Sequence, residues 1–112
     1  MIYPEALQVD KPLGFVYVLR DWNLTDTYKI GLTTQPIQKR IKQLNQSPGS
    51  AVKLEYLSPA TNRYKAVEKK LHKLFKSSNT FTGLNQSLSE WFYLPPEQYK
   101  ILQIVLLYEF ET

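Results

Sequence analysis

The chain predicts a small α+β fold, a mainly antiparallel sheet flanked by helices, with its elements in the order ββαβαβα. Three observations carry this. Two neighbouring runs, GFVYVL at 14–19 and TYKIG at 27–31, are rich in β-branched and aromatic residues, and the stretches after them switch to helical spacing of apolar residues. A length of 112 residues, 43% of them hydrophobic, suits one core and is too short for two. We therefore expect a single domain over 1–112, with its core at about 14–94 and a C-terminal helix at about 96–109.

The first two runs are joined by the polar RDWNLTD and read as a β-hairpin. Alternation puts Phe15, Tyr17 and Leu19 on one face and Val16 and Val18 on the other. In the second strand Lys29 shares a face with Thr27 and Gly31, opposite Tyr28 and Ile30; because lysine prefers solvent, that face is expected to be the wet one. LTTQPIQKRIKQLNQSPG follows, with Thr34 as N-cap, Pro36 in the first turn and Pro48-Gly49 as terminator. Ile37, Ile41 and Leu44 form the core-facing stripe of this helix, Arg40 sits at the stripe's edge, and Lys39 and Lys42 point further out.

AVKLEYLS (51–58) alternates as a third strand, with Val52, Leu54 and Tyr56 on one side. The segment 61–78 reads as a second helix whose buried stripe is Val67, Leu71, Leu74 and Phe75; Glu68 and His72, four apart, lie side by side on one edge of it. Residues 79–89 read as a polar loop, a lid or a connector, and EWFYL (90–94) as a fourth strand. Pro95-Pro96 opens the last helix, where Tyr99, Leu102, Val105 and Leu106 close the core.

Composition narrows the chemistry. The absence of cysteine removes disulfides, thiolate nucleophiles and Cys-type zinc sites, and the single histidine, His72, rules out a multi-His metal site within one chain, so any metal must be held mainly by oxygen. No apolar run approaches the about 18 residues of a membrane span, and the first ten residues lack the pattern of a signal peptide; the expectation is a cytoplasmic or nucleoid-associated protein, neither secreted nor membrane-bound. Between residues 11 and 76 there are 13 Lys+Arg against 4 Asp+Glu, a net +9, while the remainder has 1 against 6, a net −5. Such polarity suits a polyanionic partner.

FVY at 15–17, KIG at 29–31, QKRIKQL at 38–44, AVEKKLHKLF at 66–75 and EWF at 90–92, in that order and spacing, resemble the GIY-YIG nuclease superfamily, and most closely its small phage-type branch, whose second motif reads K-I-G. The likeness spans Gly14 to Leu94. It implies an endonuclease that hydrolyses DNA phosphodiester bonds, on double-stranded or branched DNA, with one Mg2+ or Mn2+ ion. Carried over by position, it makes Glu68 the metal ligand, with Glu90 the alternative. Tyr17 becomes a proton acceptor or water-positioner, and Lys29 a general base or a phosphate clamp. Arg40 becomes the phosphate-binding guanidinium, with Lys39, Lys42 and Gly31 beside the nucleic acid. His72 would donate to the phosphate or leaving oxygen, or orient Glu68. The asparagine common in the wider superfamily has no clear counterpart; Asn79 and Asn85 lie nearest. Trp91 and Phe92 read as core. Two other functions fit the same charge pattern: a catalytically silent nucleic-acid-binding module of this fold, and a structural domain whose basic patch meets an acidic protein.

Overall fold

The computed structural model describes residues 12–81 and 88–111. Its centre is the expected hairpin, β1 (Phe15–Asp21) against β2 (Thr27–Thr33), antiparallel and in register from Phe15↔Thr33 to Arg20↔Tyr28. The connection is tied down by Asp21, whose carboxylate accepts from the backbone N–H of Asn23 (3.0 Å) and of Ala51 (3.3 Å). Asp26 closes it in the left-handed region, φ 47°, which a short polar side chain tolerates.

The remaining elements are α1 (Ile37–Leu44), β3 (Val52–Leu57), α2 (Tyr64–Leu74), a single 3-10 turn (Lys76–Ser78), β4 (Asn79–Phe81), β5 (Leu88–Tyr93) and α3 (Pro96–Phe110). All strands pair antiparallel in the order β3-β1-β2-β5-β4. The sheet has one strand more than expected: Asn79–Phe81, at the start of the expected 79–89 loop, pairs with β5, which itself begins at Leu88 and not at Glu90. The rest of that loop, 82–87, lies outside the described residues.

Each face of the sheet buries its own cluster. Val16, Val18, Tyr28 and Ile30 pack under α2 and α3 through Tyr64, Val67, Leu71, Phe75, Leu102 and Leu106. Tyr17, Leu19 and Val52 pack under α1 through Ile37, with Ile41, Leu44 and Trp91 partly buried against them. This overturns the wet face: α1 roofs the side of the sheet that carries Lys29, and the lysine is 6% exposed. Covering both faces adds about 1.5–3 kcal/mol for each large apolar side chain withdrawn from water.

Three smaller expectations also fail for physical reasons. Thr34 is not the N-cap of α1; Pro36 holds that place, and the Thr33 hydroxyl takes the N–H of Gln35 instead. In β3 the alternation breaks at a β-bulge where Glu55 is the extra residue, since Leu19 faces Leu54 but Val18 faces Tyr56. Val52 therefore joins the α1 cluster and Tyr56 the other, and Leu54 is exposed. Leu74, on the margin of the α2 stripe opposite Glu68, is also exposed, and Tyr64 takes part in the core in its stead, its ring lying on Gly14, where a side chain would not fit.

Among the described residues no helix is long and apolar enough to cross a membrane.

Candidate active site

The pairing of β2 with β5 runs through Thr27↔Tyr93, Tyr28↔Phe92 and Lys29↔Trp91 and stops there. Beyond that point the edge of β2 is open, and α2 lies against it. The contact is specific: His72 Nε2 lies 2.7 Å from the carbonyl oxygen of Ile30. A carbonyl only accepts, so the histidine carries a proton on Nε2 and presents Nδ1 elsewhere. The imidazole and the Phe92 ring meet edge to face, with centroids 5.0 Å apart. This backbone bond brings the Glu68–His72 edge of α2, which packs on one face of the sheet, round the open strand edge toward groups rooted on the other face.

Those groups are Tyr17, Lys29 and Arg40. Tyr17 lies directly across from Gly31, and Lys29 is one pair further along the same face. The phenol ring lies flat on Gly31: a Cβ there would come within 2.5 Å of Tyr17 Cζ and of its hydroxyl oxygen. Gly31 lies inside β2, two residues before its end. It is buried, and its missing side chain is the space Tyr17 occupies. Arg40, reaching in from α1, donates Nε–H to the Tyr17 hydroxyl in a long 3.5 Å contact. Its two terminal nitrogens make no hydrogen bond or ion pair among the described residues. Lys39 and Lys42 stand exposed on the same helix.

The Lys29 ammonium is held 2.8 Å from Glu90 Oε1, with the lysine side chain 7% and the glutamate 39% exposed. Trp91, its cross-strand neighbour, turns its ring toward the same ammonium, 5.6 Å from the centroid. Trp91 is thus packing, as expected, and also a wall of the lysine's seat, a role that side-chain spacing alone did not signal. Asn79 donates its amide N–H to the Trp91 carbonyl at 3.2 Å, and Asn85 lies outside the described residues.

Six groups, Tyr17, Lys29, Arg40, Glu68, His72 and Glu90, are electrostatically linked. Burial pushes the Glu68 carboxyl above its ordinary value; His72 draws it back down, Glu90 pushes it up again and Lys29 lowers it. Burial likewise raises the Tyr17 phenol, with the Arg40 hydrogen bond opposing and the Glu90 and Glu68 charges reinforcing it. Glu68 Oε2 is buried and has no hydrogen-bond partner. A buried carboxylate oxygen without a donor is costly, and a proton, a hydrogen-bond donor or a cation would satisfy it. Glu90 already has one in Lys29. Among the described residues no three acidic or histidine side chains gather into a cage; one or two carboxylates, with water and phosphate supplying the rest, is the way Mg2+ is commonly held.

A groove of about 440 Å³ between β3 and α3, lined by Tyr56, Tyr99, Ile104 and Leu107 among others, contains none of these residues.

Comparison with known proteins adds one relationship. The sequence profile of the T5orf172 domain matches residues 14–105, which include every residue of the cluster. No curated protein and no solved structure matches the chain.

Proposed function

The chain belongs to the T5orf172 domain family, a phage-associated, nuclease-like domain related to the GIY-YIG folds, and on that footing we propose that it is a divalent-metal-dependent endonuclease that hydrolyses DNA phosphodiester bonds. One observation carries the reading: Glu68, a half-buried carboxylate with one buried, orphaned oxygen, lies within electrostatic reach of the Lys29 ammonium and of the Tyr17 phenol to which Arg40 is bonded. A module that only bound nucleic acid would need the cations but not an unsatisfied anion among them.

In this proposal Glu68 holds Mg2+ or Mn2+. When bound, the ion would neutralise non-bridging phosphate oxygens and favour attack by water. Glu90 is the counter-ion of Lys29, which serves as a fixed positive charge facing the phosphate. Arg40 splits its duties, its Nε on Tyr17 and its free terminal pair on phosphate oxygens, a geometry that guanidinium matches in bidentate fashion. Tyr17 receives a hydrogen bond from Arg40 and is raised by burial. It therefore enters as a protonated phenol, whose O–H orients water or a phosphate oxygen. His72 locks α2 to the Ile30 carbonyl, and its Nδ1 is left for the leaving-group side. Lys39 and Lys42 extend the positive surface along α1 for flanking phosphates.

The test is nicking of supercoiled plasmid in Mg2+ by the full chain. Nicking abolished by EDTA and by Glu68→Ala supports the proposal; nicking that survives both refutes it.

A further inference from the structure

At the far end of the hairpin from Tyr17 four side chains form a pile. Tyr99 of α3 stacks on Tyr28, with centroids 4.3 Å apart and planes within 10°. The Arg20 guanidinium lies 5.4 Å from the centroid of Tyr28 and 4.0 Å from that of Trp22. Trp22 ends the pile and is 52% exposed. Alternation along β1 puts Val18 and Arg20 on one face with Trp22 continuing it, and Lys53, directly across from Arg20, stands exposed beside them.

The platform is held before anything binds. Trp22 donates its backbone N–H to Ala51 at 3.0 Å, and Leu24 donates to the Asp21 carbonyl at 3.1 Å. The Asp21 carboxylate binds both sides of the junction through Asn23 and Ala51. An indole at a turn tip, half in water and fixed over a guanidinium, contributes little to the core it has left. Its remaining face is flat, apolar and preorganised; Arg20, which also pairs with Asp26 at 3.9 Å, lies against the ring, and Lys53 stands beside the pile.

We infer that Trp22 is a stacking platform for an unpaired nucleobase, with Arg20 beneath the ring and Lys53 positioned for the adjoining phosphate. A base within a duplex is already stacked on both faces and cannot use it, so the surface selects DNA carrying a single-stranded tail, flap or branch. Trp22 lies five residues beyond Tyr17, roughly 16 Å along the strand at the usual rise per residue. It also continues the face of Val18, opposite to that of Tyr17, and so stands outside the cleavage site. The inference rests on the nucleic-acid reading above, but not on hydrolysis.

The experiment is therefore done in EDTA, with the full chain at low salt and two fluorescein-labelled probes, a single-stranded oligothymidine and a blunt duplex. The expected result is that Trp22→Ala lowers the preference for single strand over duplex by about 5- to 150-fold, the worth of one base–aromatic stack, and that Trp22→Phe restores most of it. In a Trp91→Phe background, Trp22 emission should be quenched by the single strand. Single-strand binding that is undiminished in Trp22→Ala, or a loss shared equally by both probes, overturns the platform and leaves the nuclease proposal standing. Failure of the unaltered protein to bind either probe overturns both.

Discussion

Glu68→Gln separates what a carboxylate does for stability from what it does for chemistry. The side chain is partly buried on α2 with Oε2 unpartnered, and its carboxyl is raised by burial. A group raised in the folded state contributes most below its unfolded value and loses that contribution as pH rises through the folded one. At neutral pH, without metal, the wild-type chain thus carries a destabilising charge that the amide removes. An unsatisfied buried polar group costs roughly 1–3 kcal/mol, and the partial exposure of Glu68 trims this to about 1 kcal/mol. That corresponds to about 4 °C in melting temperature for a domain of this size. Calorimetry in EDTA should find the variant more stable at pH 7.5 and the two chains converging below about pH 4.5. In millimolar Mg2+ the wild type alone should gain stability, and the variant should not nick plasmid. A variant less stable than wild type in EDTA at neutral pH would refute the reasoning, because Glu68 would then be an ordinary, satisfied residue.

Other substitutions probe the surroundings. Gly31→Ala drives a methyl to within 2.5 Å of the Tyr17 ring and hydroxyl; overpacking of this kind costs about 1–3 kcal/mol, and nicking should fall at least about tenfold through the displaced phenol, which urea melts and nicking assays would read. Arg40→Lys keeps the charge but loses the Nε donor and the planar fork, so nicking should drop by about 10- to 100-fold with melting temperature nearly unchanged. Glu109 joins α3 to α2 through Lys70 and through Arg63 at 3.5 Å. The Lys70 hydrogen bond, foremost, holds its carboxyl below the ordinary value, so its contribution is present above about pH 4.5 and lost as pH falls through the folded value. Acid titration followed by circular dichroism should show Glu109→Gln losing less stability between pH 5 and pH 3 than wild type does.

Much of this fold is written in the periodicity of the chain. The hairpin, the three helices and the stripe of α1 follow from spacing, because alternation in β1 and recurrence at i, i+4 and i+7 in α1 are set by backbone geometry. The order of motifs singled out Tyr17, Lys29, Arg40, Glu68 and His72; in the fold Arg40 bonds Tyr17, and the charges of His72 and Lys29 act on Glu68. What spacing does not carry is what lies above a strand. Lys29 read as solvated because nothing in β2 says that α1 covers it and that Glu90 and Trp91 provide its seat. The bulge at Glu55 and the short β4 are decided by neighbouring strands, not by their own residues. The bond of His72 to Ile30 goes to a backbone carbonyl, and a backbone group has no sequence signature. The packing reason for a glycine at position 31 is hidden in the same way: its neighbour is a ring from the strand opposite, visible only once the register is known.

The central claim is that one oxygen-held cation sits at Glu68 within reach of Tyr17 and Arg40. Anomalous diffraction from crystals soaked in Mn2+ tests it most directly. The expected result is a single strong peak about 2.1 Å from a Glu68 carboxylate oxygen, with Lys29 still paired to Glu90. A peak on Glu90 with the lysine released, or a fully loaded site elsewhere that leaves Glu68 bare, would contradict it.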